Sequence, residues 1–537
     1  MTFDLLLRRA RVLDGTGRPE QALDIGITGD TITYAGPPLT PPDAPDADRL
    51  ARHTLDLDGL VLTPGFIDIH THSDVSLLHD PAGESKVLQG VTTEVVGNCG
   101  FSAFPSHPAH RATLTDHLAR LGDRPTTITW DDLTGYAAAL RAHPPALNVA
   151  ALVGHSALRI AAMTDPYATT AQAPQVRIMR RLLHDALDQG AFGMSTGLTH
   201  TPSSLADSAE IEALAEVCAR HDALYATHAR AGAGREFAAV DEAVACARAT
   251  GVRTQYSHLA LNEPANWGRA PEMLGLFEAA VASGTDLAFD VYPYDASSSA
   301  LVQYLPAWVQ AGGSDALREH STDPAWRRRA LADIRKGWFG GIPWLWDRVV
   351  ISAAGGETAV VGRSVAEIAD TRGTPPEVVV LDLCAEFGSA AQAVLHYRTD
   401  ADMSTFLAHP LSVVGSDGNA LPLAPAGDTP HPRGFGTFPR VLGGYVRDTG
   451  RLTLADAVHK MTVAPARRLG LRGRGEIRAG YVADLVAFDS RTVADRATFA
   501  DPRRAPVGIR RVLVAGRTVV ADGRLTDHRP GRFLHHD

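Results

Sequence analysis

Residues 223–260 read ALYATHARAGAGREFAAVDEAVACARATGVRTQYSHLA. ALYATHAR and RTQYSHLA are strand-like, and VDEAVACARAT between them is helix-like. A strand, a helix and a second strand in that order make one unit of a parallel α/β fold. Each strand ends on a histidine, His228 and His258.

The same alternation spreads outward from about Pro64 to Ala464. Eight candidate strands stand in it: GFIDIHTH (65–72), VTTEVVGNCG (91–100), LNVAALVGHS (147–156), AFGMSTG (191–197), ALYATHAR (223–230), RTQYSHLA (253–260), DLAFDVYPY (286–294) and LSVVGSDG (411–418). Eight strands with helices between most of them predict an α/β fold of the (β/α)8 TIM-barrel type over 64–464. Both ends of the chain differ from this. Residues 1–63 (FDLLLRRARVLDG, ALDIGITGDTITYAG) and 465–537 (GEIRAGYVADLVAFD, IRRVLVAGRTVVADG) hold short apolar runs split by Gly and Asp. They predict one small β-sandwich built from both termini, with the barrel inserted between them. One stretch after the seventh strand, about 296–348, is rich in Trp, Pro and Arg and too long for an ordinary connection. It is expected to be a lid over the face where barrel strands end.

Hydrophobic residues are 45% of the 537 and charged residues 21%, which suits a globular chain rather than a disordered one. The net charge of -10 offers phosphates no basic surface, so nucleic acid is excluded as a partner. Four scattered cysteines, Cys99, Cys218, Cys246 and Cys384, make no disulfide framework. No run approaches the ~20 apolar residues of a membrane span, and the first residues lack a signal-peptide pattern. A cytoplasmic protein without membrane contact is expected, and no oligomeric state is assigned.

The residues that carry chemistry sit at strand ends. His70 and His72 stand at i and i+2, on one side of a strand. Cys99 lies between Gly97 and Gly100, where the backbone approaches closely. His228, His258 and Asp417 end three further strands. Singly, each has a plain alternative as a core histidine, a buried thiol or a turn former. Together they form the mixed N, S and O ligand set that zinc prefers over magnesium or calcium.

The stretches TPGFIDIHTHSD, QGVTTEVVGNCGFS, GAFGMSTGL, DVYPYDASSSAL, HPLSVVGSDG and HPRGFGTFPRVLG carry a resemblance. In them the sequence resembles the amidohydrolase superfamily, in its D-aminoacylase branch of N-acyl-D-amino-acid deacylases. That resemblance implies a small N-acylated D-amino acid as substrate and zinc as cofactor. Cys99, His228 and His258 would hold a tight zinc. His70, His72, Cys99 and Asp417 would line a second, weaker position. Asp417 would be the catalytic proton carrier, and Tyr292 and Ser298 would bind the substrate carboxylate. The branch's lysine two positions after the sixth-strand histidine is replaced by Ala260, and Arg230 is the candidate substitute, with pairing to an internal acid as its alternative. His431 and Arg433 are candidates for the pocket rim. The lysines Lys86, Lys336 and Lys460 lie at no strand end, so a lysine-bridged metal pair is not expected. The alternative within the superfamily is hydrolysis of a cyclic amide or a related C–N bond. The alternative outside catalysis is a scaffold that kept the fold.

Overall fold

The computed structural model describes residues 2–39, 50–122, 124 and 126–536. The eight expected strands form the barrel. Phe66–Asp68, Val91–Val96 and Asn148–Ala151 make one parallel sheet. Val153–Gly154, Gly193–Gly197, Leu224–His228, Arg253–Tyr256, Leu287–Val291 and Ser412–Val414 make the other. The third strand joins the two, since Leu152 N–H donates to Val96 O and Phe192 N–H to Ala151 O. A parallel bridge from Thr71 to Gly418 closes the eighth strand onto the first. These strands are buried on both faces, as parallel strands wrapped by helices must be.

Helices Ala173–Asp188, Ser208–Arg220, Glu236–Thr250 and Ala270–Ala282 alternate with strands four to seven. Their ends follow local chemistry. Asp207 caps Ser208–Arg220 by accepting the Glu210 N–H at 2.9 Å. Gly251, at φ 71°, ends Glu236–Thr250 in the left-handed conformation glycine adopts without penalty. Cys218 and Cys246 are buried in these helices as small apolar groups.

Strands from both termini hydrogen-bond in one nine-stranded sheet. Its joint is the antiparallel pair Val61–Pro64 and Leu485–Phe488. Leu7, Ile25, Ile32, Leu62, Leu485 and Leu513 fill the core of this β domain.

The insertion after the seventh strand has its own core, with Leu301, Trp338, Ile351, Leu381 and Tyr397 inside. Ser297–Ala300 and Val349–Ala354 both pair antiparallel with Ala391–Leu395. The packed unit therefore runs well past Arg348. Barrel alternation resumes with helix Asp400–Ala408, which leads into the eighth strand. No helix among the described residues is long and apolar enough to cross a membrane.

Candidate metal centre

All six ligand candidates meet at the C-terminal ends of the barrel strands. His70 Nε2 lies 3.3 Å from Cys99 Sγ and 3.4 Å from Asp417 Oδ1. His72 Nε2 is 2.9 Å from the same Asp417 oxygen. Cys99 Sγ is 3.4 Å from His258 Nε2, which is 2.9 Å from His228 Nδ1. Two overlapping groups result, His70–His72–Cys99–Asp417 and Cys99–His228–His258, with Cys99 in both.

The backbone is bent to make this possible. Cys99, His258 and Asp417 all have positive φ, at 52°, 37° and 52°. Such conformations cost a non-glycine residue roughly 1–3 kcal/mol and persist where surrounding structure enforces them. Gly97 supplies the approach that aims Cys99: a Cβ there would stand 2.0 Å from Leu152 O.

A second ring of groups orients the first. The Asp290 carboxylate pairs with His70 Nδ1 at 3.0 Å and accepts the His258 N–H at 2.8 Å. Thr199 Oγ1 holds His228 Nε2 at 2.6 Å, leaving Nδ1 toward His258. Fixing the far ring nitrogen in this way sets which nitrogen is free for a metal.

The arrangement fits zinc. Zinc–nitrogen bonds near 2.05 Å and zinc–sulfur bonds near 2.3 Å give tetrahedral edges of about 3.3 Å and about 3.6 Å. The observed separations, 2.9–3.4 Å, lie at or a few tenths of an ångström below these values, close enough for one ion to draw the ligands round it. Burial, opposed by the Asp417 carboxylate but outweighing it, holds His228 and His258 well below the usual imidazole range, so both are neutral donors. Burial pushes the Cys99 thiol up to about 11 despite His70 beside it, so it ionises only when a cation joins it. Burial opposes the charge on Asp417, but the Arg433 guanidinium beside it and the hydrogen bond from His72 outweigh it and keep the carboxylate ionised.

The cavity above is lined by Ala260, Ser298, Tyr304, Trp338, Phe339 and Arg398, among others. Arg433 Nη1 reaches Asp417 Oδ2 at 2.5 Å and the Tyr292 hydroxyl at 2.9 Å, and its Nη2 donates to Ser298 O at 3.1 Å. Arg398 lies 4.8 Å over the Tyr292 ring and donates from Nε to Asn262 Oδ1 at 3.1 Å. Its Nη1 is buried and has no hydrogen-bond partner among the described residues.

Ser298 therefore stands on the cavity wall, and Tyr292 is buried behind it and reaches the site only through Arg433 and Arg398. Arg230 does not reach the site. Its Nε reaches Glu242 at 3.2 Å, and Nη1 and Nη2 donate to Ser204 O and Ala206 O at 2.8 Å each. The fifth strand ends at His228, so alternation no longer aims residue 230 into the barrel mouth. His431 and Arg433 both line the cavity, and Arg433 goes beyond a rim role by touching Asp417. Sequence reasoning missed Arg398, Asp290 and Thr199. Only Asp290 left a signal there, as an acid inside an otherwise apolar buried strand.

The model of the amidohydrolase family matches residues 53–520. An N-acyl-D-glutamate deacylase of Alcaligenes xylosoxydans xylosoxydans is 39% identical, over 100% of this chain and 97% of that protein. A D-aminoacylase of the same organism is 37% identical, over 99% and 97%. The crystal structure of an N-acyl-D-glutamate deacylase from Bordetella bronchiseptica, complexed with zinc and a phosphonate mimic of the tetrahedral intermediate, superposes with a TM-score of 0.81. It is 35% identical, with 100% of both chains covered.

Proposed function

The chain belongs to the amidohydrolase family, and from that premise we propose that it hydrolyses the amide of N-acyl-D-amino acids with zinc as cofactor. The observation that carries the reading is Cys99 shared between two ligand groups, one of which contains the ionised Asp417. Cys99, His228 and His258 would hold the tight zinc, and His70, His72, Cys99 and Asp417 would line the weaker position. Bound there, zinc supplies an acidified water and a Lewis acid for the scissile carbonyl.

Asp417 takes a proton from the attacking water and returns it to the leaving nitrogen, which departs poorly unless protonated. Arg433 holds the carboxylate in place through Oδ2 while Oδ1 faces the histidines. Arg398, one of whose nitrogens has no partner among the described residues, takes the substrate carboxylate beside Tyr292 and Ser298. The same reading divides the chain into a β-sandwich of residues 1–63 and 465–537 around a catalytic unit of 64–464. A cytoplasmic setting suits its four buried, unpaired cysteines. Replacing Asp417 by Asn tests the mechanism: turnover is abolished while zinc stays bound. Near-normal activity in that variant refutes it.

A further inference from the structure

Lys86 is wholly buried, at 0% exposure, and lies outside the ligand set. Its Nζ donates to Asp68 Oδ2 at 2.9 Å, Ser416 Oγ at 2.7 Å and Gly418 O at 2.9 Å, and lies 3.0 Å from Glu94 Oε1. Two of these four partners are the immediate neighbours of Asp417. The same carboxylates reach that loop by other routes. Asp68 Oδ1 accepts the Ser416 N–H at 2.8 Å. Glu94 accepts the Ser73 hydroxyl at 3.2 Å, and Ser73 Oγ accepts the Ala420 N–H at 2.8 Å. Ser416 Oγ also accepts the Gly418 N–H at 3.1 Å.

Asp417 sits at the centre of this bracket with φ 52°. Left to itself, the loop would relax toward the right-handed region that L-residues favour. A buried ion pair is a poor way to gain stability, since apolar packing of similar volume often does as well or better. Here the buried cation joins the first two strands, through Asp68 and Glu94, to the one loop that carries the proton carrier.

We propose that Lys86 is a positioning residue for Asp417, fixing the Ser416–Gly418 backbone so that the carboxylate stays aimed at His70 and His72. This rests on the reading of Asp417 as the proton carrier. Lys86 makes no contact with the carboxylate itself and acts through the backbone on either side of it.

The test uses the zinc-loaded full chain with Lys86→Met and, because a buried charge site can fail to fold, the milder Ser416→Ala. Turnover of an N-acetyl-D-amino acid is measured per bound zinc, which removes any misfolded fraction. Peptide-level hydrogen exchange is followed over residues 412–420. Displacements of about 1 Å at a reacting group cost on the order of 10²-fold. The expected result for Lys86→Met is therefore a kcat per zinc lower by about 100-fold, with KM within about threefold and zinc content unchanged. Ser416→Ala loses about tenfold by the same reasoning. Exchange over 412–420 quickens in both variants, with the rest of the barrel unaltered. A kcat per zinc close to the parent's in the variants that fold, or unaltered exchange in that segment, overturns the proposal. If the parent cleaves no acylamino acid, the deacylase reading fails, and the exchange arm still decides whether Lys86 holds the loop.

Discussion

Replacing Arg398 by Met removes the guanidinium whose buried Nη1 has no hydrogen-bond partner among the described residues. Hydrogen bonds to a charged group contribute about 1.5–3 kcal/mol, which is about 10- to 150-fold in binding. What remains is modest: one bond to Asn262 and the stack on Tyr292. Their loss lowers stability by about 1 kcal/mol, and Met fills most of the volume left. The assay is kcat/KM on an N-acetyl-D-amino acid and on its primary amide, in which the carboxylate is replaced by a neutral group. The variant loses about 10- to 150-fold on the acid and little on the amide. Equal losses on both, or none on the acid, would refute the assignment of Arg398 to the carboxylate.

Two further outcomes follow from the geometry. Cys99→Ala removes the atom both ligand groups share, so zinc affinity falls by more than the roughly 10- to 100-fold typical of outer-sphere partners. Atomic emission after dialysis should find the variant depleted, and stoichiometric zinc would contradict the shared role. Acidification should destabilise the fold through histidines outside the ligand set. Burial holds His155 below, and His117 and His431 well below, the usual imidazole range. The unfolded chain then binds more protons than the folded one below about pH 6.5, so stability is lost as pH falls through that value. Each group contributes roughly 1.4 kcal/mol per pH unit there. Melting temperatures measured from pH 7 to pH 5 should drop, and a flat profile would contradict this burial.

The barrel, and the meeting of its candidate ligands at one end, were legible because a parallel strand announces itself as an apolar run, and its end is where a polar residue interrupts it. His70, Cys99, His228, His258 and Asp417 each make that interruption. Arg230 misled because alternation was carried past His228, where the strand stops. Arg398 left no local signal. It follows the last strand of the inserted sheet and reaches the site only because that unit packs over the barrel mouth. Lys86 was equally silent: its place under the Asp417 loop depends on pairing between residues 330 and 332 positions apart in the chain. Pattern reading finds what each strand presents, and long-range polar contacts between connections have no period to read.

The most direct test is release of free amine from paired N-acetyl-D- and N-acetyl-L-amino acids by the zinc-loaded protein. The account predicts hydrolysis confined to the D series and abolished by removing zinc. Hydrolysis of neither series by protein carrying stoichiometric zinc would contradict it and turn attention to cyclic amides.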